Sequence, residues 1–325
     1  MSYCHLVLSQ RTQIESLNQL GYSIRKIAKL VKRHPSTIAR ELKRNLGHQS
    51  YDGDQASKLA RDRRCLASQV VKKMNQSLID LIDRYLKNRW SPEQISGYLK
   101  RHRISISHSR IYQYIWEDRK QGGDLYKYLR HRGKKYKYKG KGGSGRGMII
   151  NRVDITLRPK IVDRKTRIGD WEADTIIGKA HQGAIVSLVD RKTKFTKLIK
   201  VKDKTAASVT SAVISSLLSL PMTHRTITFD NGKEFAFHEE IAMQTGAKTY
   251  FDTPYHSWER GLNEHTNGLV RQYIPKSTHF DTVNDELINR IENDLNNRPI
   301  KVLGFSTPNE VMQKHLRRLG VALQS

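Results

Sequence analysis

The run TITFDNGKEF, Thr226 to Phe235, is an apolar, β-rich segment that stops abruptly on Asp-Asn-Gly. Asp-Asn-Gly is good turn chemistry in any protein, so one interpretation of Asp230 is a turn residue. A carboxylate held at the tip of a strand is also well placed to hold a metal ion. The segments on either side of this run are needed to separate the two interpretations.

Four other short β-rich runs surround this segment, and they read WEADTIIGK, GAIVSLVD, KFTKLIKV and AKTYFD. Between the third run and TITFD, apolar residues such as Val209, Val213 and Leu217 recur at helical spacing. Three strands, a helix, a fourth strand, a helix and a fifth strand predict a mixed five-stranded α/β sheet of the ribonuclease H type. We expect this domain to cover residues 148–325, with further helices after the fifth strand.

Two acids fall where a sheet of this order brings strands together. Asp174 lies inside the apolar run ADTIIG of the first strand, where an acid is costly unless something compensates its burial. Asp230 ends the fourth strand, and the first and fourth strands are neighbours in this sheet order. We therefore expect the two carboxylates to lie close together.

A third acid is expected from the helix that contains SWERGLNEHTNGLVRQYIPK. Its apolar residues lie close to one face, whereas Arg260, Glu264, Asn267 and Arg271 lie on the other. Glu264 is thereby presented among polar side chains. Spacing alone leaves two alternatives open, namely three acids that converge on a metal site or a scatter of surface acids.

Two glycines, Gly261 and Gly268, lie on the same side of this helix as Glu264. A glycine inside a helix costs roughly 1 kcal/mol relative to alanine. We therefore expect another backbone, DNA among the candidates, to approach the helix closely on this side.

Five further acids compete for a role in the site. Asp170 and Glu172 share the face of the first-strand acid by strand alternation, so each is a candidate partner of that carboxylate or a substitute ligand. Glu259 lies nearly on the apolar side of its helix and is a weaker candidate. Asp190 and Asp252 end strands, and we interpret both as turn residues.

The whole chain of 325 residues is strongly basic, with 59 Lys and Arg against 31 Asp and Glu, a formal net charge of +28. Such a surplus indicates a polyanionic partner, and nucleic acid is the natural candidate. The sequence contains no run of membrane-spanning length and no signal peptide, so we expect a cytoplasmic protein. Cys4 and Cys65 have no paired spacing that would predict a disulfide framework or a cysteine zinc site.

The N-terminal region, residues 1–60, shows three short apolar stripes at helical spacing. In the third, Ser36, Thr37, Arg40 and Arg44 face away from the apolar side. Three short helices whose last is basic and exposed predict a helix-turn-helix domain with that helix in a major groove. The alternative is an ordinary helical bundle with a solvated charged face.

A second helical region, residues 61–129, repeats this pattern. The segment WSPEQI supplies a capping box, and a later short helix turns Arg110 and Gln113 outward. This pattern predicts a second helix-turn-helix that contacts DNA. A helical dimerisation module would show the same stripes, so both alternatives stay open.

The segment between these helices and the sheet, residues 130–147, reads RHRGKKYKYKGKGGSGRG and contains no acid. Glycine and charge repulsion oppose a packed core, so we predict a linker. It is a solvated tether, a linker that follows a phosphate backbone, or both, with Lys135 and Lys137 as DNA contacts and the neighbouring tyrosines able to stack on bases.

Nearly the whole chain resembles the IS-thirty family of insertion-sequence transposases, which carry a DDE triad of acids on a ribonuclease H-like fold. Four blocks carry the resemblance, and they are GYSIRKIAKLVKRHPSTIARELKRN, RIGDWEADTIIGK, TFDNGKEF and YHSWERGLNEHTNGLVRQYIPK. The stretch LNNRPIKVLGFSTPNEV is also similar to the usual ending of the family. The spacing between the second and third acids fits the family pattern.

The resemblance implies that Asp174, Asp230 and Glu264 bind two Mg²⁺ ions, with Mn²⁺ as an alternative, and catalyse DNA strand cleavage and strand transfer. It implies that the helix-turn-helix units select terminal inverted repeats in double-stranded DNA and that the active assembly is at least a dimer. Arg271 falls where related enzymes place a basic residue that contacts DNA. With it, Arg260 and Asn267 are the expected DNA contacts on this helix.

The chain departs from the family at two positions, with Asp170 where His is more frequent and Ala173 where Gly is more frequent. Neither belongs to the expected triad. Two other functions remain as alternatives. One is a DNA-binding regulator with an inactive core, and the other is a structure-specific nuclease on the same fold.

Overall fold

The structure is a computed structural model that describes residues 5–45, 50–70, 74–130, 149–179, 182–253, 261–318 and 320. These residues fall into two compact units, Met1–Leu78 and Ile79–Ser325. The helices are α1 Leu8–Gln19, α2 Ile24–Leu30, α3 Pro35–Asn45, α4 Gly53–Val70, α5 Gln76–Lys87, α6 Pro92–Arg101, α7 His108–Lys120, α8 Ala206–Leu218, α9 His238–Thr245, α10 Gly261–Val270, α11 Asp285–Asn296 and α12 Pro308–Arg318. No helix in this part of the chain is both long and apolar enough to cross a membrane.

The first unit is the helical bundle α1 to α4. Its core is formed by residues from successive helices, and they include Ile14, Ile27, Ile38 and Leu42. Helix α4 packs on α1, and the expected domain boundary near residue 60 falls within α4. The bundle turns the outer face of α3 away from its apolar core.

One acid of α3, Glu41, points back into this unit. It accepts a hydrogen bond from the guanidinium of Arg11 at 2.6 Å, and both side chains are largely buried. The second nitrogen of Arg11 donates to the carbonyl of Leu6 at 2.8 Å. Because the only acid of α3 is used inside, its outer face keeps an uninterrupted basic character.

The second unit begins with the helical segment α5 to α7. The expected capping box of α6 is confirmed, since Ser91 Oγ accepts from the backbone of Gln94 at 3.2 Å and Gln94 Oε1 accepts from the backbone of Ser91 at 2.9 Å. The rings of Tyr85 and Trp90 stack at 4.3 Å beside Tyr98. These contacts give a short, well-ended helix and a compact aromatic cluster.

The sheet of the second unit has five strands, β1 Asp170–Ile177, β2 Ala184–Asp190, β3 Thr196–Val201, β4 Thr226–Phe229 and β5 Lys248–Phe251. Their order is β3-β2-β1-β4-β5, with β1 to β3 antiparallel and with β4 parallel to both β1 and β5. Helix α8 connects β3 to β4, and α9 connects β4 to β5. This is the ribonuclease H-like arrangement that the run of strands and helices predicts.

Alternate residues of β1 belong to the two faces of the sheet. Trp171 and Ala173 join an apolar cluster with residues of α8, α9 and α12. Ile176 joins a second cluster with residues of α10 and α11. Asp174 shares the face of Ile176, so it lies on the side of the sheet that α10 covers.

Candidate active site

The strand β1, which contains Asp174, is the parallel neighbour of β4, which ends one residue before Asp230, and this adjacency was predicted. The parallel pairing of β1 with β4 sets Glu172 opposite Thr228. Asp174 and Asp230 each come two residues after this last pair, Asp174 within β1 and Asp230 just past the end of β4. Both side chains are partly exposed, and both are within reach of solvent at this edge.

Helix α10 is tied to β1 through the carboxylate of Asp174. Asn267 Nδ2 donates to Asp174 Oδ2 at 2.9 Å, and Asn267 Oδ1 accepts from Ser187 Oγ at 2.9 Å. The backbone N–H of Thr175 donates to Asp174 Oδ1 at 2.8 Å. An ionised carboxylate only accepts, so the amide nitrogen faces it, and the structure places Asn267 as an orienting partner of Asp174.

Glu264 lies in the first turn of α10 and is exposed. It precedes Asn267 by three residues, which puts the two side chains on neighbouring positions of the helix surface. The bond from Asn267 to Asp174 therefore brings the turn that carries Glu264 to the edge of the sheet where Asp230 also lies.

A metal ion requires ligand atoms that lie close together, in addition to acids on neighbouring elements. Within the described ranges, no three or more His, Cys, Asp and Glu side chains are arranged so that they could hold a metal ion. Carboxylate oxygens are nevertheless the ligand type that Mg²⁺ prefers. Metal binding by the three acids stays a prediction.

Glu234 is a fourth acid at this edge that the sequence analysis missed. It is buried, accepts from Thr175 Oγ1 at 2.8 Å and pairs with Lys204 Nζ at 2.7 Å. A Cβ built on Gly232 would collide with the carboxylates of both Glu234 and Asp230, so these two acids converge on that glycine. The sequence feature that could have identified Glu234 is its position four residues after Asp230, within the run TITFDNGKEF.

The two acids that precede Asp174 on the same face are neutralised inside the protein. Asp170 accepts two hydrogen bonds from Arg167, at 2.7 and 3.0 Å, and one from Thr226 at 2.8 Å. Glu172 accepts from Arg191 at 2.7 Å and from the backbone of Asn263 in α10 at 3.2 Å. Both carboxylates serve the packing of the sheet, which argues against either as a substitute ligand.

Asp190 is a turn residue, as expected. Its carboxylate is buried and accepts hydrogen bonds from the backbone of Gly169, Lys192 and Thr193 and from the Thr193 hydroxyl. Burial raises the pKa of Asp190 above its ordinary value, and these hydrogen bonds oppose that rise.

Asp252 accepts from the amide of Asn231 at 2.9 Å. Glu259 lies outside the described residues.

Comparisons with known proteins agree with this architecture. The protein family described as "Helix-turn-helix domain" matches residues 2–45. The transposase for insertion sequence element IS4351 of Bacteroides fragilis is 44% identical, with 99% of each chain covered. The transposase InsI for insertion sequence element IS30A of Escherichia coli is 36% identical over 98% of this chain and 85% of its own. The chain belongs to the IS-thirty (IS30) family of insertion-sequence transposases.

A solved structure gives a weaker likeness to this transposase. The catalytic core domain of BIV integrase aligns over 47% of the transposase and 98% of its own chain, with a TM-score of 0.37 and 16% identity. The assignment of the ribonuclease H-like fold therefore depends on the strand order and on the pairing directions of the sheet.

The α3 face of the transposase contains the residues that we expect to read DNA. Arg40 and Arg44 are exposed, while Ser36 and Thr37 are partly exposed. Arg40 donates to the carbonyl and hydroxyl oxygens of Ser36, at 3.0 and 2.8 Å. The family match confirms the helix-turn-helix, and the DNA contacts themselves stay predictions.

Two arginines of α4 were missed by the sequence analysis. Arg63 and Arg64 line a cleft of about 260 Å³ together with Arg40 and Arg44 of α3. Arg63 also donates to the side chain of Asn45 at 2.5 Å, which holds it at the end of α3. This clustering extends the basic face beyond α3. Only the packing of α4 on the bundle, which periodicity does not reveal, places these residues together.

The other expected DNA contacts have mixed positions. Arg110 and Gln113 are exposed on α7, with Arg110 Nη1 donating to Gln113 Oε1 at 3.3 Å. Arg271 is partly buried and donates to the carbonyl of Ile177 at 2.6 Å, and burial lowers its pKa. The structure therefore places Arg271 against the end of β1. The remaining three, Lys135, Lys137 and Arg260, lie outside the described residues.

Proposed function

We propose that this transposase binds the terminal inverted repeats of its insertion sequence and catalyses metal-dependent cleavage and strand transfer at their ends. Asp174, Asp230 and Glu264 are the proposed DDE triad. Two Mg²⁺ ions, or Mn²⁺ in their place, would be held by these carboxylates and would supply charge stabilisation for an in-line displacement at a DNA phosphodiester. The attacking groups are first a water and then a 3′-hydroxyl, so no covalent bond from protein to DNA is required.

One observation supports this proposal most directly, and it is the hydrogen bond from Asn267 to Asp174. It joins the helix that carries Glu264 to the strand that carries Asp174, at the edge where Asp230 also lies. A carboxylate oxygen has two lone pairs, so the bond orients Asp174 Oδ2 and leaves that oxygen able to accept another partner. The role of Asn267 in this proposal is to hold the carboxylate in place.

The site is tested with purified protein, labelled element ends and Mg²⁺, and the readout is nicked and joined DNA. We expect Asp174→Asn and Glu264→Gln to retain specific binding to the ends and to lose cleavage and joining. Glu240→Gln is the matched control, since Glu240 is an exposed acid on α9 and belongs to no part of the proposed site. Full activity in Asp174→Asn or Glu264→Gln would refute the assignment.

The same assay separates the alternative functions. A wild-type protein that binds the ends but cuts nothing with Mg²⁺ or Mn²⁺ supports a DNA-binding regulator with an inactive core. Cleavage without preference for the ends supports a structure-specific nuclease. Cleavage and joining restricted to the ends supports the transposition chemistry proposed above.

Recognition of the ends is assigned to the first helix-turn-helix. We expect Arg40→Ala to weaken binding to the terminal repeat by about 1–3 kcal/mol, measured by titration of labelled DNA. Arg40→Lys keeps the charge and loses the planar donor pair, so it should retain non-specific affinity and lose selectivity. Unchanged affinity and selectivity in Arg40→Ala would remove this residue from end recognition.

The proposed partners are double-stranded DNA and further copies of the transposase. Strand transfer needs two ends in one reaction, and closed assemblies of identical subunits are the usual means of holding two equivalent ligands. We therefore propose an active assembly of at least two subunits. Light scattering of the protein with and without paired ends measures the subunit number.

A further inference from the structure

The helical segment α5 to α7 is anchored to the catalytic sheet domain of its own chain. The guanidinium of Arg89 donates to the carbonyl of Gln272 and lies over the Tyr273 ring, 4.2 Å from its centroid. Arg101 donates to the carbonyl of Phe305 at 2.7 Å and pairs with Glu310 at 3.0 Å. The segment therefore has a fixed place beside the residues that follow α10, in addition to any role in DNA reading or dimerisation.

Arg130, which follows this helical segment at the start of the predicted linker, reaches α10 itself. Its Nη1 lies 3.4 Å from Nδ1 of His265. A Cβ built on Gly268 would lie 3.0 Å from Arg130 Nη2. The close neighbour at Gly268 is an arginine side chain and not the backbone that was expected, whereas no atom of the described residues lies within 4 Å of a Cβ built on Gly261.

Arg130 and Glu264 occupy the same face of α10. Residues three and four apart are neighbours on a helix surface, so Glu264 and Gly268 lie one turn apart on the side that Arg130 touches. Glu264 and Arg130 are both exposed. A DNA strand that contacts this side of α10 would lie close to this guanidinium.

The charge of Arg130 is not cancelled by an acid in the part of the chain that the structure describes. Its one hydrogen-bond partner there is a ring nitrogen. This contact engages one guanidinium nitrogen, Nη1, and leaves the others available for a second ligand.

We propose that Arg130 binds a backbone phosphate of the DNA strand at the active face of α10. This inference rests on the proposed strand cleavage, and it gives the anchored segment α5 to α7 a defined task, which is to hold the following residue Arg130 beside the turn that carries Glu264. A guanidinium matches two phosphate oxygens in a bidentate geometry. The Arg130 side chain is already held by His265 and lies against Gly268, which has no side chain. Binding of a phosphate therefore costs less side-chain conformational entropy than it would for a freely rotating arginine.

The experiment measures end binding at several salt concentrations and single-turnover cleavage of labelled ends with Mg²⁺. Arg130→Ala should lower the cleavage rate about 10- to 100-fold, because a displaced strand is misaligned for attack. It should also make the slope of log affinity against log salt shallower by about one, because one phosphate contact is lost. Arg130→Lys should keep the salt slope and recover part of the rate.

Arg84→Ala is the matched control, since it removes one exposed positive charge from α5 of the same segment. Its cleavage rate and salt slope should equal those of the wild type. A wild-type rate and slope in Arg130→Ala would overturn this inference and leave the proposed function standing. A wild-type protein that cuts no ends overturns the proposed function itself.

Gly268→Ala gives an independent test if Arg130→Ala does not fold. The new methyl group would displace the end of the Arg130 side chain, and alanine favours the helix over glycine. We expect an equal or higher melting temperature together with slower cleavage. A Gly268→Ala protein that is stable and cleaves at the wild-type rate counts against the assigned position of Arg130.

Discussion

The acids in the two halves of β1 have different partners and different burial, although they share one face of the sheet. In the first half, the carboxylates of Asp170 and Glu172 are buried and paired with arginines. In the second half, Asp174 is partly exposed and bonded by the amide of Asn267. An arginine cancels the charge of a carboxylate, whereas an amide orients the carboxylate and leaves its charge in place. The first arrangement is suited to packing and the second to holding a cation.

The sharpest test of this difference is a pair of substitutions that replace an acid by its amide. Glu172→Gln leaves the buried guanidinium of Arg191 without its closest acid, so we expect the free energy of unfolding to fall by about 3 kcal/mol. Asp174→Asn should change it by less than about 1 kcal/mol, because that side chain is partly exposed. Denaturant unfolding of both variants measures the two values. Equal losses would show that the two halves of β1 do not differ in this way.

A smaller effect is expected when the Asp174 carboxylate keeps its charge but loses the amide that orients it. Asn267→Ala removes the amide that holds Asp174, and we expect end cleavage to slow roughly 10- to 100-fold with unchanged end binding. The Mg²⁺ concentration for half-maximal rate should rise. Ser187→Ala removes only the group that orients the amide, so its loss of rate should be smaller. A wild-type rate and Mg²⁺ dependence in Asn267→Ala would show that this bond does not position the site.

The smallest effect concerns the opposite face of β1. Burial lowers the pKa of His224, which accepts a hydrogen bond from Trp171 and donates one to the carbonyl of Leu217. The folded protein therefore binds this proton less readily than the unfolded chain, whose histidine has a pKa near 6.5. The stability that neutral His224 contributes is present above that pKa and is lost as the pH falls below it.

Unfolding measured at several pH values checks this expectation. The free energy of unfolding should decrease as the pH falls from about 7.5 to about 5.5, a window that brackets the ordinary histidine pKa. His224→Gln should show a shallower decrease over the same window. An identical pH dependence in the variant would mean that other groups cause the decrease.

The sequence was sufficient where one local pattern decides the outcome. Alternation along β1 and the Asp-Asn-Gly turn after β4 placed Asp174 and Asp230 at one edge, and the strand order followed from the succession of β-rich and helical runs. The capping box at Ser91 was predicted for the same reason, because its two partners are three residues apart.

The remainder depends on contacts between distant parts of the chain. The pairing of Glu172 with Arg191, the contact of Arg130 with α10 and the orientation of Asp174 by Asn267 each join different elements. A polar helix position such as Asn267 has the same pattern whether it meets DNA or a neighbouring strand. Packing decides between these outcomes, and helical spacing does not encode it.

The parallel pairing of β1 with β4 has a consequence for the newly made protein. Asp174 enters the sheet early, but its neighbour Asp230 arrives only after α8 has crossed the sheet, and Glu264 is synthesised later still. A chain emerging from the ribosome therefore lacks a complete set of acids until most of it has been translated. Under the proposed function, a chain that stops before Glu264 is expected to cleave no DNA.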